Sequence, residues 1–254
     1  MNIAVITPTK DREEQLSLVI DCMNNQTVKP DMWVIVDDGK KPVSEDTLKK
    51  ISVPYKYIHY NSGLRSSTSI NSAKCLESVT AKRYIFFDDD DYYPPQYIEN
   101  FCKILVNENE MVGNIRWTDY RLSTGYYRVR FKTEKQVKEG DTMSEWHGSG
   151  IMGEELKREM INVLKSNPTE KYNDCLCFRH IFYPKKYVCR VEDFNEWSAI
   201  SLKDYGVGLP GVIEPHRSNN GLTRDDDNFS FFKEKLGDDW VRYKKFLGKK
   251  REEK

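Results

Sequence analysis

Four times between Asn2 and Asp91 an apolar run stops at a polar cluster: "NIAVIT" before "PTKD", "MWVIV" before "DDG", "YKYIHY" before "NSGLR", and "YIFF" before "DDDD". Between the first two runs, "DREEQLSLVIDCMNNQ" places Leu16, Val19, Ile20 and Met23 at helical spacing, with Asp11, Glu13 and Glu14 near the positive end of the helix dipole. Between the last two, "SSTSINSAKCLESV" is a second predicted helix, with Ile70, Ala73, Lys74 and Leu76 in its core region. Strand, helix, strand at this spacing is a βαβ unit, whose crossover makes its strands parallel and covers the sheet. "PPQYIENFCKILVNE" then opens with prolines, which suit a first helical turn, and carries Tyr97, Phe101, Ile104 and Leu105 along one face. The expectation is an α/β layer structure. Ligands of such sheets bind beyond the carboxyl ends of the strands, so all four polar clusters are predicted on one binding edge.

The fourth cluster is the most demanding. Asp88 to Asp91 are four like charges at the end of a run, Tyr84 to Phe87, that reads as a central strand. Such an end can hold a divalent cation, bind a basic ligand, or be a solvated turn. Oxygen-only ligands select a hard cation such as Mg²⁺ or Mn²⁺, and Mg²⁺ usually completes its shell with phosphate oxygens and water. A phosphorylated partner is therefore implied. No GxxxxGK[ST] occurs, and no GxGxxG follows the first strand, so neither a P-loop NTPase nor a dinucleotide oxidoreductase is supported. The phosphate falls to the metal and to basic side chains such as Arg65.

Composition narrows the class. Forty basic and forty acidic side chains cancel, which leaves nucleic acid open as a partner but unsupported by net charge. No stretch approaches the roughly 18 apolar residues of a membrane span, and "MNIAVITPTK" reads as a strand beginning, so a cytoplasmic protein is expected. The six cysteines form no CxxC pair and read as reduced thiols; Cys175 and Cys177 have no partner pair at zinc-finger spacing.

The second half is less regular. "EMVGNIRWTDYRL" and "GYYRVRFKTE" read as strands, "EWHGSGIMGEELKREMINVLKS" as a glycine turn and a helix, and "EPHRSNNGLTRDDDNF" as a loop or lid. "YNDCLCFRHIF" and "KYVCRVED" lie between them. The end of the chain, "DDWVRYKKFLGKKREEK", reads as an amphipathic helix fraying into a solvated charged face.

In order and spacing, "VITPTKDREEQLSLVIDCMNNQTVKPDMWVIVDDG", "NSGLRSSTSIN" and "YIFFDDDDYYPP" closely resemble the family 2 glycosyltransferases of the GT-A fold. The resemblance is strong over residues 1 to 105 and traceable to 225. It implies a GT-A Rossmann-like three-layer sandwich with a mostly parallel central sheet and an irregular acceptor half. The catalytic domain would span 1–225, with a nucleotide-sugar-binding half at 1–105 and an acceptor half at 106–225. Residues 226–254 would be a C-terminal helical tail.

Carried over position by position, the resemblance implies that Thr7, Pro8 and Thr9 line the nucleoside pocket and that Asp38 accepts a hydrogen bond from the base. Arg65 would meet diphosphate or base edge. The family's DxD pattern falls on Asp88 and Asp90: Asp90 is expected to hold Mn²⁺ or Mg²⁺, and Asp88 or Asp89 to meet ribose or a metal-bound water. Asp91 reads as a helix N-terminal residue. Asp174 matches the catalytic base, with Asp193 as the alternative. His216 could approach the metal, and Arg217 and Arg224 could clamp the departing diphosphate on a lid. Trp146 and His147 are candidates for the acceptor pocket, whereas His59 and His180 read as structural.

These parts imply a metal-dependent, inverting transfer from a UDP-sugar to an acceptor hydroxyl, whose bearer (glycan, protein, small molecule or modified nucleic-acid base) the sequence leaves open. Two rivals stand beside it. A nucleotidyltransferase for sugar phosphates would carry a glycine-rich basic loop where this chain has "TPTKDREE". A non-catalytic nucleotide- or sugar-binding module would share the fold without turnover.

Overall fold

The structure, a computed structural model, describes residues 2–64, 67–114, 116–122, 125, 127–131, 149–169, 181, 187–192, 199–203, 221–224, 226 and 228–247. Its framework is a seven-stranded sheet in the order β10-β6-β9-β4-β1-β2-β3. The strands are β1 (Ile3–Thr9), β2 (Met32–Asp37), β3 (Tyr55–His59), β4 (Arg83–Phe86), β6 (Glu110–Asn114), β9 (Ser149–Met152) and β10 (Val188–Glu192). β3, β2, β1 and β4 run parallel, as do β6 and β10, while β9 is antiparallel to both of its neighbours.

Alternation along β1 divides the interior in two. Ile3 and Val5 pack with Trp33, Ile35, Ile85 and Phe87 on one face, under helices α1 (Glu13–Asn24) and α4 (Tyr97–Ile104). Ala4 and Ile6 pack with Val34, Val36, Tyr84 and Ile151 on the other, under α3 (Thr68–Glu77) and α5 (Glu154–Ser166). Helix, sheet, helix is the three-layer architecture expected. The inner face of α3 differs from expectation: Ser69, Asn71, Ser72, Ala73, Cys75 and Leu76 are buried, with Ile70 and Lys74 only half-buried. Small side chains there let the helix lie close over β1 and β2. A short α2 (Glu45–Leu48), capped by the Ser44 hydroxyl accepting from the Thr47 N–H, follows β2.

The two halves of the chain share the central sheet, because β6, β9 and β10 complete what β1 to β4 begin. The stretch expected as a glycine turn contains β9, a fully buried interior strand. A Cβ at Gly150 would lie 3.0 Å from the Phe101 ring, so glycine lets this strand and α4 pack without the ring having to shift.

A second sheet, in the order β12-β8-β7-β11-β5, joins β12 (Gly221–Arg224), β8 (Tyr127–Phe131), β7 (Arg116–Arg121), β11 (Ile200–Lys203) and β5 (Asp91–Tyr92). β12 pairs with β8 where a loop or lid was expected, with Arg224 opposite Tyr127, so Arg224 sits in a paired strand. Of the segment expected as a helical tail, the charged end at 248–254 lies outside the described residues. Helix α6 (Ser230–Leu236) and a 3₁₀ segment (Gly237–Phe246) bury Phe232, Leu236 and Tyr243 in the same core as α1. Asp226 fixes their start by accepting from the N–H groups of Phe231 and Phe232, 3.0 Å each, and from the Tyr120 hydroxyl at 2.8 Å.

Candidate functional site

The parallel register brings the ends of β1, β2 and β3 level: Thr9 lies opposite Asp37, and Asp37 opposite His59. β4 arrives beside β1 with Phe86 opposite Ile6, and the chain continues past it into Asp88. The three loops and the acidic run therefore meet on one edge. β10 ends at Glu192 on that edge.

The acidic run is the tip of a loop closed at its base. Phe87 and Tyr93, on either side of it, stack with centroids 3.8 Å apart, and Tyr93 meets Tyr97 edge-on at 4.9 Å. The Tyr93 hydroxyl accepts from the Asp88 N–H at 2.5 Å. Within this frame the four aspartates part ways. Asp88 is exposed, Asp90 half-buried, and Asp89 and Asp91 buried. Asp91 does not begin a helix: it pairs with Ser201 in β5, and its carboxylate accepts from the Leu202 N–H at 3.2 Å. Helix α4 starts only at Tyr97, after Pro94 and Pro95.

Asp89 turns inward. One carboxylate oxygen accepts from the Thr9 hydroxyl at 2.6 Å, and the other accepts from Arg12 Nη1 at 2.7 Å. The same Nη1 lies 2.8 Å from Asp90 Oδ2. Burial pushes the Asp89 carboxyl up; Arg12 opposes that rise, Asp90 adds to it, and Thr9 opposes it. Reciprocally, the Asp89 charge raises the Arg12 guanidinium further above its ordinary value, so it stays a cation. Asp11, in the left-handed region at φ 53°, turns the chain sharply between β1 and α1, and its carboxylate accepts from the Lys40 N–H at 2.8 Å.

At the end of β2 the neighbouring aspartates face different partners. Asp37 accepts from the Gly39 N–H at 2.7 Å and the Tyr57 hydroxyl at 2.6 Å, which ties down the β2–α2 loop. A Cβ at Gly39 would fall 2.8 Å from Asp37 Oδ1 and 3.1 Å from the Asp11 nitrogen, so glycine lets the two loops touch. Asp38, fully buried, accepts from the Ser62 N–H at 2.5 Å, the Ser62 hydroxyl at 2.7 Å and Lys10 Nζ at 3.0 Å. Burial alone would raise its carboxyl, but donors from Ser67, Ser62 and Lys10 outweigh it and hold the group below the ordinary carboxylate range. Lys10 also donates to the Leu64 carbonyl, and Asn71 donates to the Thr9 carbonyl at 3.3 Å.

Of the residues expected here, Thr9, Asp38, Asp88, Asp89 and Asp90 gather on this edge. Pro8 lies in β1 opposite Val36, one residue short of its end. Thr7 is withdrawn into the sheet, where its hydroxyl accepts from the Trp33 indole N–H at 2.9 Å. His59 bonds through Nε2 to the Gly39 carbonyl at 2.9 Å, a structural contact as expected. Arg65, Trp146, His147, Asp174, His180, Asp193, His216 and Arg217 lie outside the described residues, as does the side chain of Arg224. Lys10 and Arg12 are the residues that the sequence reading missed. Their only signal was basic charge in the loop after β1, on the edge already assigned to the acidic run.

Among the described residues no set of three or more His, Cys, Asp or Glu side chains is poised to hold a metal ion. No described helix is long and apolar enough to cross a membrane.

The profile of the family described as Glycosyl transferase family 2 matches residues 4–158, which include the ends of β1 to β4 and the acidic run. No curated protein matches the chain in sequence. Among solved structures, TarS 1-349 of S. aureus is similar with a TM-score of 0.54 and 16% identity, over 80% of this chain and 60% of that one. The mannosyltransferase PcManGT from Pyrobaculum calidifontis, in complex with GDP-Man and Mn²⁺, gives 0.51 and 13%, over 80% and 56%. The chain thus spans less than two thirds of either, and at these identities the likeness is one of fold.

Proposed function

The chain belongs to glycosyl transferase family 2, and from that premise we propose that it is a metal-dependent, inverting transferase that moves a sugar from a UDP-sugar to an acceptor hydroxyl. The observation that carries the reading is the meeting of the acidic run with Thr9 and Arg12, beside the Lys10–Asp38 pair, at the carboxyl edge of four parallel strands. That edge is where open α/β sheets bind their ligands, and it offers both signs of charge that a metal-bound diphosphate requires.

The donor chemistry of the run fits a hard cation, since its side-chain ligands are all carboxylate oxygens. Asp88 and Asp90 would hold the ion, because Asp89 has one oxygen bonded to Thr9 and the other to Arg12. A bound Mg²⁺ or Mn²⁺ would offset negative charge on the diphosphate. Asp38 would meet the nucleoside base once one of its present donors, Ser62 or Lys10, gives way. Thr9 and Pro8 would border that pocket, with Thr7 supporting it from beneath through Trp33. Arg65, Arg217 and Arg224 are assigned to the diphosphate, and His216 to the metal side.

Asp174, with Asp193 as the alternative, would accept the proton of the acceptor hydroxyl as its oxygen attacks the anomeric carbon opposite the diphosphate. A single attack from that side inverts the centre. The mannosyltransferase of similar fold is complexed with GDP-Man and Mn²⁺, which supports a nucleoside-diphosphate sugar and a divalent ion here. The uridine assignment rests on the position of Asp38.

Calorimetric titration with UDP and with GDP, in Mn²⁺ and then in EDTA, tests this reading. UDP should bind at least tenfold more tightly than GDP and only with the ion present. A preference for GDP would overturn the base assignment, and binding unchanged by EDTA would overturn the metal.

A further inference from the structure

Arg12 stands where a helix would ordinarily begin with Ser, Thr, Asp or Asn. It occupies the N-cap of α1 and makes no capping hydrogen bond with its side chain. A cation there also opposes the positive end of the helix dipole. The local structure therefore gains nothing from arginine at this position, and the left-handed turn at Asp11 delivers its side chain to the acidic run instead.

The delivery is specific. One nitrogen, Nη1, bridges Asp89 Oδ1 at 2.7 Å and Asp90 Oδ2 at 2.8 Å. The two contacts are unequal. The Asp89 side chain is 6% exposed and held from its other oxygen by Thr9, whereas the Asp90 side chain is 24% exposed. The first contact is locked inside the fold; the second faces the open side of the edge.

We propose that Arg12 is a built-in counter-ion of the acidic run, which offsets part of its charge and gives up its Asp90 contact as a divalent cation is taken up there. The proposal rests on the metal-dependent reading above and deepens it. A guanidinium held on Asp90 Oδ2 and a divalent ion on the same carboxylate repel each other as like charges. Uptake of the ion would thus be an exchange: the Asp90 contact opens, the Asp89 contact persists, and the positive charge of Arg12 stays beside the site, next to the phosphates of an incoming nucleotide. In the absence of nucleotide the same charge works against the metal.

The test is a Mn²⁺ titration of the purified chain without nucleotide, followed by the electron paramagnetic resonance of the free ion. Wild type, Arg12→Gln, Arg12→Lys and Asp90→Asn are compared. Asp90→Asn should lose the site. Arg12→Gln should bind Mn²⁺ roughly tenfold more tightly than wild type, and Arg12→Lys, which keeps the charge, should stay within about threefold of it. Unchanged or weaker binding in Arg12→Gln would overturn the proposal and show that the guanidinium only organises the run.

Should Arg12→Gln fail to fold, the wild-type protein still decides. The Arg12 Nε–H resonance, assigned by its loss in Arg12→Lys, should shift on titration with Mg²⁺, and a stationary signal is the contrary result. If no variant binds Mn²⁺, with or without UDP, the metal-dependent reading falls and takes this one with it. If wild type binds and Arg12→Gln binds equally, only the role of Arg12 falls.

Discussion

β2 and β4 flank β1, and each ends in consecutive aspartates, yet the two ends are built differently. At β2 the carboxylates are saturated by donors from the surrounding loops: Gly39, Val43 and Tyr57 for Asp37, and Ser62 and Lys10 for Asp38. At β4 the crowded charges of Asp89 and Asp90 share one guanidinium nitrogen, and Asp88 lies exposed. Neighbouring carboxylates thus serve opposite ends. Asp37 at β2 fixes the backbone, Asp38 joins Ser62 to Lys10, and Asp89 and Asp90 at β4 gather positive charge.

Three measurements bear on that contrast. The largest effect is expected at β4: Asp90→Asn should weaken Mn²⁺-dependent UDP binding about a hundredfold while leaving the melting temperature within about 2 °C, because Arg12 Nη1 keeps the Asp89 carboxylate as its acceptor. A large loss of stability would erase the contrast. Next, Asp37→Ala leaves the Tyr57 hydroxyl and the Gly39 N–H without their acceptor, while the Val43 N–H keeps the Tyr57 oxygen; the change should cost roughly 3 kcal/mol and lower the melting temperature by about 6–12 °C. A shift under 2 °C would show that water replaces the carboxylate there.

The smallest effect concerns pH. Asp38 has its folded-state pKa lowered, so it contributes stability that is complete above the unfolded value near 4 and fades as pH falls through the folded value. Urea unfolding at a series of pH values from about 7 to about 2 should show Asp38→Asn less stable by about 1 kcal/mol at neutral pH and flatter on the acid side. An identical acid slope in the two proteins would remove Asp38 from the account.

The part of the site that could be read from sequence is the part where an apolar run ends in polar residues. β1 and β2 announce themselves by β-branched runs and β3 and β4 by aromatic residues around an isoleucine, and parallel pairing then fixes which ends meet. The division of labour among Asp88, Asp89 and Asp90 was not legible, because it depends on the stacking of Phe87 on Tyr93, which sets how the tip of the loop is turned. Arg12 was hidden for a similar reason: its reach depends on a left-handed Asp11, a conformation that no pattern around "TKDREE" requires. β9 and β12 are four-residue strands containing glycine, held by their neighbours rather than by propensity, and so they read as turn and loop. In the last described stretch, charge conceals a sparse apolar face of Phe232, Leu236 and Tyr243.

That last stretch has a bearing on how the protein is made. Tyr243 meets Tyr92 edge-on at 6.3 Å and touches Cys22 of α1, and the Tyr92 hydroxyl reaches Asp239. Tyr92 directly follows the acidic run, and its strand also waits for β11 to supply a pairing partner. During synthesis the early strands can pair as they leave the ribosome, with their helices beside them, because chains fold from the N-terminal side first. Tyr92, drawn from the first hundred residues, gains these neighbours only when residues 230–247 arrive. Translation would deliver the foundation of the site early and its keystone late, so a nascent chain stalled before Phe232 should show an assembled sheet with an unfinished edge.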